Sequence, residues 1–308
     1  MAIVKSVEVS GVLNLNKPRG MTSRDVVDLI ARPLGKKVKV GHAGTLDPLA
    51  SGVLVVCVGP ATRLIEYVQR MAKGYRTVIK LGATSDTLDA DGQVQITENP
   101  QIPTEAEIRV VLSRQVGTID QIPPQFSALK VEGKRAYDLA RTGQAVELAS
   151  RLVRIDRVEL ISYTWPLLEL EVDCGSGTYI RSIARDIGET LGCGGLVEVL
   201  IRTRIGGFTL DDAIDATGQS IDEILNHIQP IESALGDLPR LALSSEQVNS
   251  IAMGKALPAR EVEGAEAIEG EAALLGPTGS IVAIAEVGGP LKAVRPRRVL
   301  GGGLRTED

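Results

Sequence analysis

The segment whose residue types and spacing are best suited to covalent chemistry is Gly41-His42-Ala43-Gly44-Thr45-Leu46-Asp47-Pro48-Leu49-Ala50-Ser51-Gly52. Asp47 stands directly before Pro48, and a residue before proline is pushed out of the helical region, which holds this aspartate extended. Glycines at 41, 44 and 52 let the backbone approach a partner closely. The apolar run Val53 to Val58 follows, so the carboxylate sits at the mouth of a rigid strand, where a nucleophile or base can be held in place. Taken alone, an Asp-Pro pair means only a turn. In this setting the carboxylate could attack an electrophilic carbon or remove a proton.

Other chemistries find little support. There are two histidines, His42 and His227, far apart and outside any H-E-x-x-H pattern. Three cysteines, Cys57, Cys174 and Cys193, form no C-x-x-C pair, which disfavours a disulfide framework or a zinc ribbon and fits a reducing compartment. Thr87 to Glu98 nearly fits a calcium loop, but Thr87 stands at the first ligand position and the flanks read as strands, so it reads as an acidic turn. With 8 aromatic residues in the chain, stacked-base platforms are not its main theme. The run Val53 to Val58 is too short to span a bilayer, and MAIVKSVEVSG lacks the features of a signal peptide. The expectation is a cytoplasmic protein without metal, redox cofactor or membrane association.

Charge is unevenly distributed. The whole chain carries −5, but residues 1–80 carry +8, 81–204 carry −5 and 205–308 carry −8. A basic end on an acidic chain fits either a polyanionic partner or a solvated surface that is basic at one end, and charge alone favours the second. Lys36, Lys37 and Lys39 stand immediately before the Asp47 segment, which makes their location informative.

The elements that must position Asp47 are legible in the periodicities. Thr22 and Asp25 have capping-box spacing ahead of a helix with the stripe Val26, Val27 and Ile30, ended by Pro33. Val53 to Val58 reads as a strand buried on both faces. Pro60 opens a helix through Leu64, Ile65, Val68 and Met71 that stops at Gly74. Tyr75, Thr77, Ile79 and Leu81 share one face of a strand, and Thr104 with Glu107 caps a further helix. Residues 117–150 read as an insertion with a short helix. Leu168, Leu170 and Val172 alternate on a strand, and Thr178 caps a helix with Ile180, Ile183, Ala184 and Ile187 inward. Ile201 to Ile205 reads as a strand projecting Arg202 and Arg204 from one face. Beyond about Pro239, short alternating segments suggest a small β-rich unit.

The Asp47 segment closely resembles the active-site motif of the TruB family of tRNA pseudouridine synthases. Further resemblances run in order over about residues 11–207: Leu15-Asn16-Lys17-Pro18-Arg19-Gly20, Lys73-Gly74-Tyr75-Arg76, Ser85 to Gly92, Pro123 to Lys130, and Gly177-Thr178-Tyr179-Ile180-Arg181-Ser182. The resemblance implies an α+β pseudouridine synthase fold, a large mixed, mostly antiparallel sheet with flanking helices. A small C-terminal β-rich PUA-like domain completes it. The boundaries would be 1–237 for the catalytic domain, with an RNA-contacting insertion at about 117–150, and 238–308 for the second. It implies isomerisation of uridine 55 in the TΨC loop of tRNA, without cofactor or obligate protein partner. Asp47 would be the essential carboxylate, Tyr75 would stack on the base, and Arg181 would pair with Asp47. His42 would hold the flipped loop, Tyr179 and Leu200 would line the uridine pocket, and Lys17 would support the site.

Asp47 would attack C1′ of the ribose or take the 2′ proton, and both routes remain open. Lys292, Arg295, Arg297 and Arg298 fit either an acceptor-stem contact or a solvated strand end. The competing readings are a tRNA-folding chaperone without chemistry, or a nucleoside hydrolase.

Overall fold

The computed structural model describes residues 9–126, 130–131, 134–135 and 148–300. Its elements, in chain order, are β1 (Gly11–Lys17), α1 (Ser23–Leu34), β2 (Val40–His42), β3 (Ser51–Val58), α2 (Ile65–Arg70), β4 (Lys73–Leu81), β5 (Ala83–Ser85), β6 (Val94–Ile96), α3 (Glu105–Ser113) and β7 (Gly117–Gln121). Next come β8 (Lys130–Val131), β9 (Lys134–Arg135), β10 (Arg151–Thr164), β11 (Leu167–Cys174), α4 (Ile180–Thr190), β12 (Gly195–Ile205), β13 (Phe208–Thr209), β14 (Ile214–Asp215) and α5 (Ile221–Leu225). The chain closes with β15 (Arg240–Ala242), α6 (Ser245–Ala252), β16 (Leu257–Pro258), β17 (Gly270–Leu275), β18 (Ile281–Gly288) and β19 (Ala293–Val299).

A ten-stranded sheet runs β14-β1-β3-β12-β4-β11-β10-β7, with β2 added to β3 and β13 to β12. Its pairs are antiparallel except β1 with β14 and β3 with β12. The expected mixed, mostly antiparallel sheet is therefore present. β3 is apolar because it is central, and Val53 to Val58 are all buried. On β4 the alternation holds: Tyr75, Thr77, Ile79 and Leu81 are buried and Arg76 is exposed. Tyr75, Ile79 and Leu81, with Leu168, Leu170 and Val172 of β11, face Ile180, Ile183, Ala184 and Ile187 of α4 in one apolar cluster. A second sheet, β15-β17-β18-β19-β16, forms the C-terminal β-rich unit. Ala273, Ile281, Ile284 and Leu300 of that unit pack with Val53, Val55 and Leu64 of the first.

Both anticipated capping boxes form, at Thr22 with Asp25 and at Thr104 with Glu107. Several local expectations are corrected. Pro33 lies inside the last turn of α1, and Gly35, at φ +77°, terminates the helix. After Pro60 the chain makes a 3-10 turn and then only the short α2. Gly74 lies within β4, where an added Cβ would meet Thr203 Oγ1 at 2.9 Å, so this glycine serves strand packing and stops no helix. Thr178 does not cap α4; the N-cap is Tyr179, which uses no side-chain cap. Gly117 to Gln121 is a strand of the main sheet, paired with β10. The short helix expected in the insertion lies outside the described residues.

Arg202 and Arg204 do not share a face. The register on β4 moves by one residue, from Tyr75 to Gly74, while β12 moves by two, so Thr203 is a bulge that reverses the side-chain parity. Arg202 turns toward Tyr75 and the Asp47 loop, whereas Arg204 pairs with Asp173 at 2.8 Å on the opposite face.

Candidate active site

Asp47 lies on the loop between β2 and β3, and that loop is fastened at several points. Ser23 Oγ, at the start of α1, donates to the Leu46 carbonyl at 3.1 Å and accepts the Leu46 N–H at 2.8 Å. Gly20 N–H donates to the Pro48 carbonyl at 2.7 Å, and Ala50 N–H to that of Asp47 at 3.1 Å. From below, Arg202 donates to the carbonyls of Val53 at 2.8 Å, Gly44 at 3.0 Å and Thr45 at 3.4 Å. Gly52 has φ +100°, and a Cβ there would lie 2.3 Å from the Arg202 carbonyl, so this glycine permits the close passage of β3 past β12.

Arg181 Nη2 donates to Asp47 Oδ2 at 2.9 Å. The arginine is 5% exposed and the aspartate 36%, so a buried guanidinium holds a carboxylate that still faces an opening. Arg181 is itself over-determined. Nη1 donates to the Thr87 carbonyl at 2.8 Å and lies 3.5 Å from Asp89 Oδ2, and Nη2 also donates to the Phe126 carbonyl at 2.9 Å. A guanidinium bound on several sides cannot swing, and the carboxylate it holds is fixed with it.

Of the other anticipated residues, Tyr75, Leu200, Lys17 and His42 lie about this loop and Arg202, while Tyr179 is fixed by Gln121 and Arg151. Tyr75 is buried on β4 as the cross-strand partner of Arg202, and its phenol is pushed above the ordinary range by burial, with Arg202 opposing. Leu200 belongs to the same apolar cluster as Leu46, Tyr75 and Ile180. Tyr179 stands two residues before Arg181. Gln121 accepts its N–H at 2.8 Å and donates to its carbonyl at 3.1 Å, and the Arg151 guanidinium covers its ring at 4.8 Å. Lys17 is buried at the end of β1 and donates to the carbonyls of Met21 at 2.7 Å and Pro18 at 3.0 Å. Burial lowers its pKa to about 8, the Asp47 charge opposing. His42 ends β2, with a buried Nδ1 that has no hydrogen-bond partner among the described residues. Burial, and then Arg202, push its pKa down, which favours the neutral ring.

Two residues of this constellation were not anticipated as site residues. Asp89 shares Arg181 with Asp47. Its carboxyl is pushed up by burial, opposed by its bond from Thr87 Oγ1 at 2.6 Å and by Arg181. In sequence it is one acid among several in a turn, and no periodicity marks which of them turns inward. Arg202 was visible only as a strand arginine, and its direction depends on the bulge. The basic residues of the C-terminal unit are partly engaged within the fold: Arg298 reaches Glu66 at 2.8 Å and the Arg63 carbonyl at 2.6 Å, and Arg297 reaches Glu286 at 3.6 Å.

A carboxylate held by a fixed cation, with an aromatic ring and apolar walls beside it, can stabilise or attack an electron-poor carbon.

Comparisons with known proteins give the family. Residues 32–180 match the family model described as TruB family pseudouridylate synthase (N terminal domain), and residues 181–236 match tRNA pseudouridylate synthase B C-terminal domain. A tRNA pseudouridine synthase B of Mycobacterium sp. (strain KMS) is 44% identical over 283 residues, covering 90% of this chain and 92% of the relative. One from Dehalococcoides mccartyi (strain ATCC BAA-2100) is 39% identical over 264 residues, covering 84% and 88%. Among solved structures, the crystal structure of a Cbf5-Nop10-Gar1 complex contains a chain that superimposes with a TM-score of 0.75 at 26% identity, covering 98% of this chain and 88% of that one. This chain belongs to the TruB family of pseudouridylate synthases.

Proposed function

We propose that this chain converts uridine 55 of the tRNA TΨC loop to pseudouridine, with Asp47, Tyr75 and Arg181 as its catalytic residues. The observation that carries the reading is the Asp47 carboxylate held 2.9 Å from the buried Arg181 guanidinium yet still open to one side. The names of the relatives and the family description support the reaction class.

The reaction breaks the bond from C1′ to N1 of uracil, rotates the base, forms a bond from C1′ to C5 and moves one proton from C5 to solvent while N1 regains one. Its atoms balance without an oxidant or a hydrolytic water. The target base lies inside a folded RNA loop, and everting it costs a few kcal/mol of stacking, which Tyr75 replaces in part. Asp47 then either attacks C1′ to form a glycosyl ester, as in retaining glycosidases, or takes the 2′ proton to form a glycal. Arg181 fixes the direction of the carboxylate and supplies the positive charge beside it. His42 holds the rearranged loop nucleotides, Tyr179 and Leu200 line the base pocket, and Lys17 supports the Asp47 loop. Residues 1–237 form the catalytic domain, with the RNA-contacting insertion following β7, at about 122–150, and 238–308 a PUA-like domain. The partner is tRNA, no obligate protein partner is required, and the enzyme works in the cytoplasm.

The test is Asp47→Asn on a TΨC stem-loop transcript. The expected result is loss of pseudouridine with RNA binding retained. Unchanged product formation sinks the catalytic assignment, and free uracil among the products would mark a hydrolase instead.

A further inference from the structure

The basic end of the chain has a definite location on the fold. α1 begins at Ser23, whose hydroxyl is bonded to Leu46 of the Asp47 loop, and ends at Gly35 in a turn carrying Lys36, Lys37 and Lys39. That turn leads straight into β2 and His42, and the Lys39 carbonyl is pinned by the Gly59 N–H at 2.7 Å. At about 3.3 Å per strand residue, Lys39 lies roughly 10 Å along the chain from His42. All three lysines are exposed, and among the described residues none has a carboxylate within ion-pair distance. Arg24 and Arg32 of α1 are 75% and 81% exposed and share a single partner, Asp28. The charge of Arg24 is felt at His42, which locates the helix beside the site. The result is a positive surface extending from the rim of the Asp47 cleft along α1 to its C-terminal turn, with two carboxylates, Asp25 and Asp28, against five cations.

From this placement we infer that the α1–β2 turn is a phosphate-binding surface that grips the RNA backbone next to the nucleotide held at Asp47. The inference rests on the reading that the cleft takes RNA. Charge complementarity and continuity with the cleft identify the occupant. Unpaired exposed ammonium groups gain by releasing counterions from a polyphosphate, and a point charge on a flexible stem suits backbone phosphate contacts that carry no base specificity. The surface adds affinity and register, and it takes no part in bond making.

The test is the triple variant Lys36→Glu/Lys37→Glu/Lys39→Glu, whose sites are on the surface, measured with a TΨC stem-loop transcript across a salt series. The expected result is affinity weakened about tenfold or more at moderate salt, and a slope of log affinity against log salt shallower by about two to three, roughly one for each phosphate no longer neutralised. At saturating RNA the pseudouridine rate stays within about twofold of wild type. Unchanged affinity and slope overturn the proposal, as does weaker affinity with the slope intact. Failure of the wild-type protein to form pseudouridine would count against the catalytic reading instead, and the salt series still decides whether this surface holds phosphate.

Discussion

The two sheets of this molecule bury different kinds of residue. Lys17, Lys73, Asp89, Arg181 and Arg202 are all buried against the large sheet or its loops, and so are Asn14, Thr77 and Gln121. The core of the C-terminal sheet is made of Leu241, Val248, Ile251, Leu274, Val282 and their neighbours, and no buried polar or charged side chain is found among its described residues. A buried ion costs several kcal/mol that well-packed hydrocarbon does not. The large sheet carries that cost repeatedly within reach of one loop, while the C-terminal sheet avoids it. The difference separates a region organised around chemistry from one organised around packing, and it can be tested by substitution in each.

The largest effect is expected at Arg181. Arg181→Met leaves Asp47 and the buried Asp89 without their shared cation, and should cost about 4 kcal/mol in transition-state stabilisation, a rate loss of about a thousandfold. Denaturant unfolding should show a loss of about 3–5 kcal/mol, because one member of a buried charge cluster has been removed. Adding Asp89→Asn should recover part of the stability and none of the rate. Recovery of both would mean that Arg181 only neutralises Asp89. Next, Leu274→Ala in the C-terminal core should lower stability by about 3 kcal/mol through reduced burial and a cavity, with kcat on stem-loop RNA unchanged below the unfolding transition. A kcat that falls with it would break the division between the two sheets.

How legible this was in the sequence depends on whether a residue's direction follows from a period. α1 was readable because Thr22 and Asp25 satisfy two backbone donors at fixed spacing, and β4 because Tyr75, Thr77, Ile79 and Leu81 alternate. The pairing of Asp47 with Arg181 joins residues 134 positions apart, and it was reached through the family resemblance; no local pattern leads to it. Arg202 was misjudged because one bulged residue reverses every facing beyond it, and a bulge leaves no mark on hydrophobic alternation. Asp89 and Gln121 were not recognised as supports because the partners that matter, the Arg181 guanidinium for Asp89 and the Tyr179 backbone for Gln121, lie far along the chain.

Arg202 sharpens the comparison further, since among the described residues it has no carboxylate partner and its guanidinium holds the backbone carbonyls of Val53, Gly44 and Thr45. Arg202→Met removes a buried charge together with three hydrogen bonds, and these oppose each other in stability. The expected change in unfolding free energy is accordingly within about 2 kcal/mol. The Asp47 loop loses its underside, so kcat should fall about thirtyfold, near 2 kcal/mol, with RNA affinity held. A stability loss without a kcat loss would make this arginine part of the packing.

The smallest effect concerns Lys73, buried at the start of β4, where its ammonium donates to the carbonyls of Gln69 and Met71. Burial lowers its pKa from the ordinary 10.5 to about 8. Below pH 8 the folded protein must carry this ammonium out of water. Between pH 8 and 10.5 the folded lysine is mostly neutral while the unfolded one still binds its proton, so the unfolded state binds more protons and stability rises with pH. The slope contributed by a single group is bounded near 1.4 kcal/mol per pH unit. Tyr67 and the buried thiols of Cys57 and Cys174 are pushed up by burial and act in the opposite direction at high pH, so wild type alone would mix the contributions. Tyr67 and Cys57 are common to wild type and Lys73→Met and cancel in the difference. Cys174 feels the Lys73 charge, but with its thiol pushed up to about 11 it stays protonated between pH 8 and 9. From pH 8 to 9 the unfolding free energy of wild type should gain roughly 1 kcal/mol on that of Lys73→Met. Parallel curves would show that the ammonium keeps its ordinary pKa, and that the large sheet holds this charge at no cost.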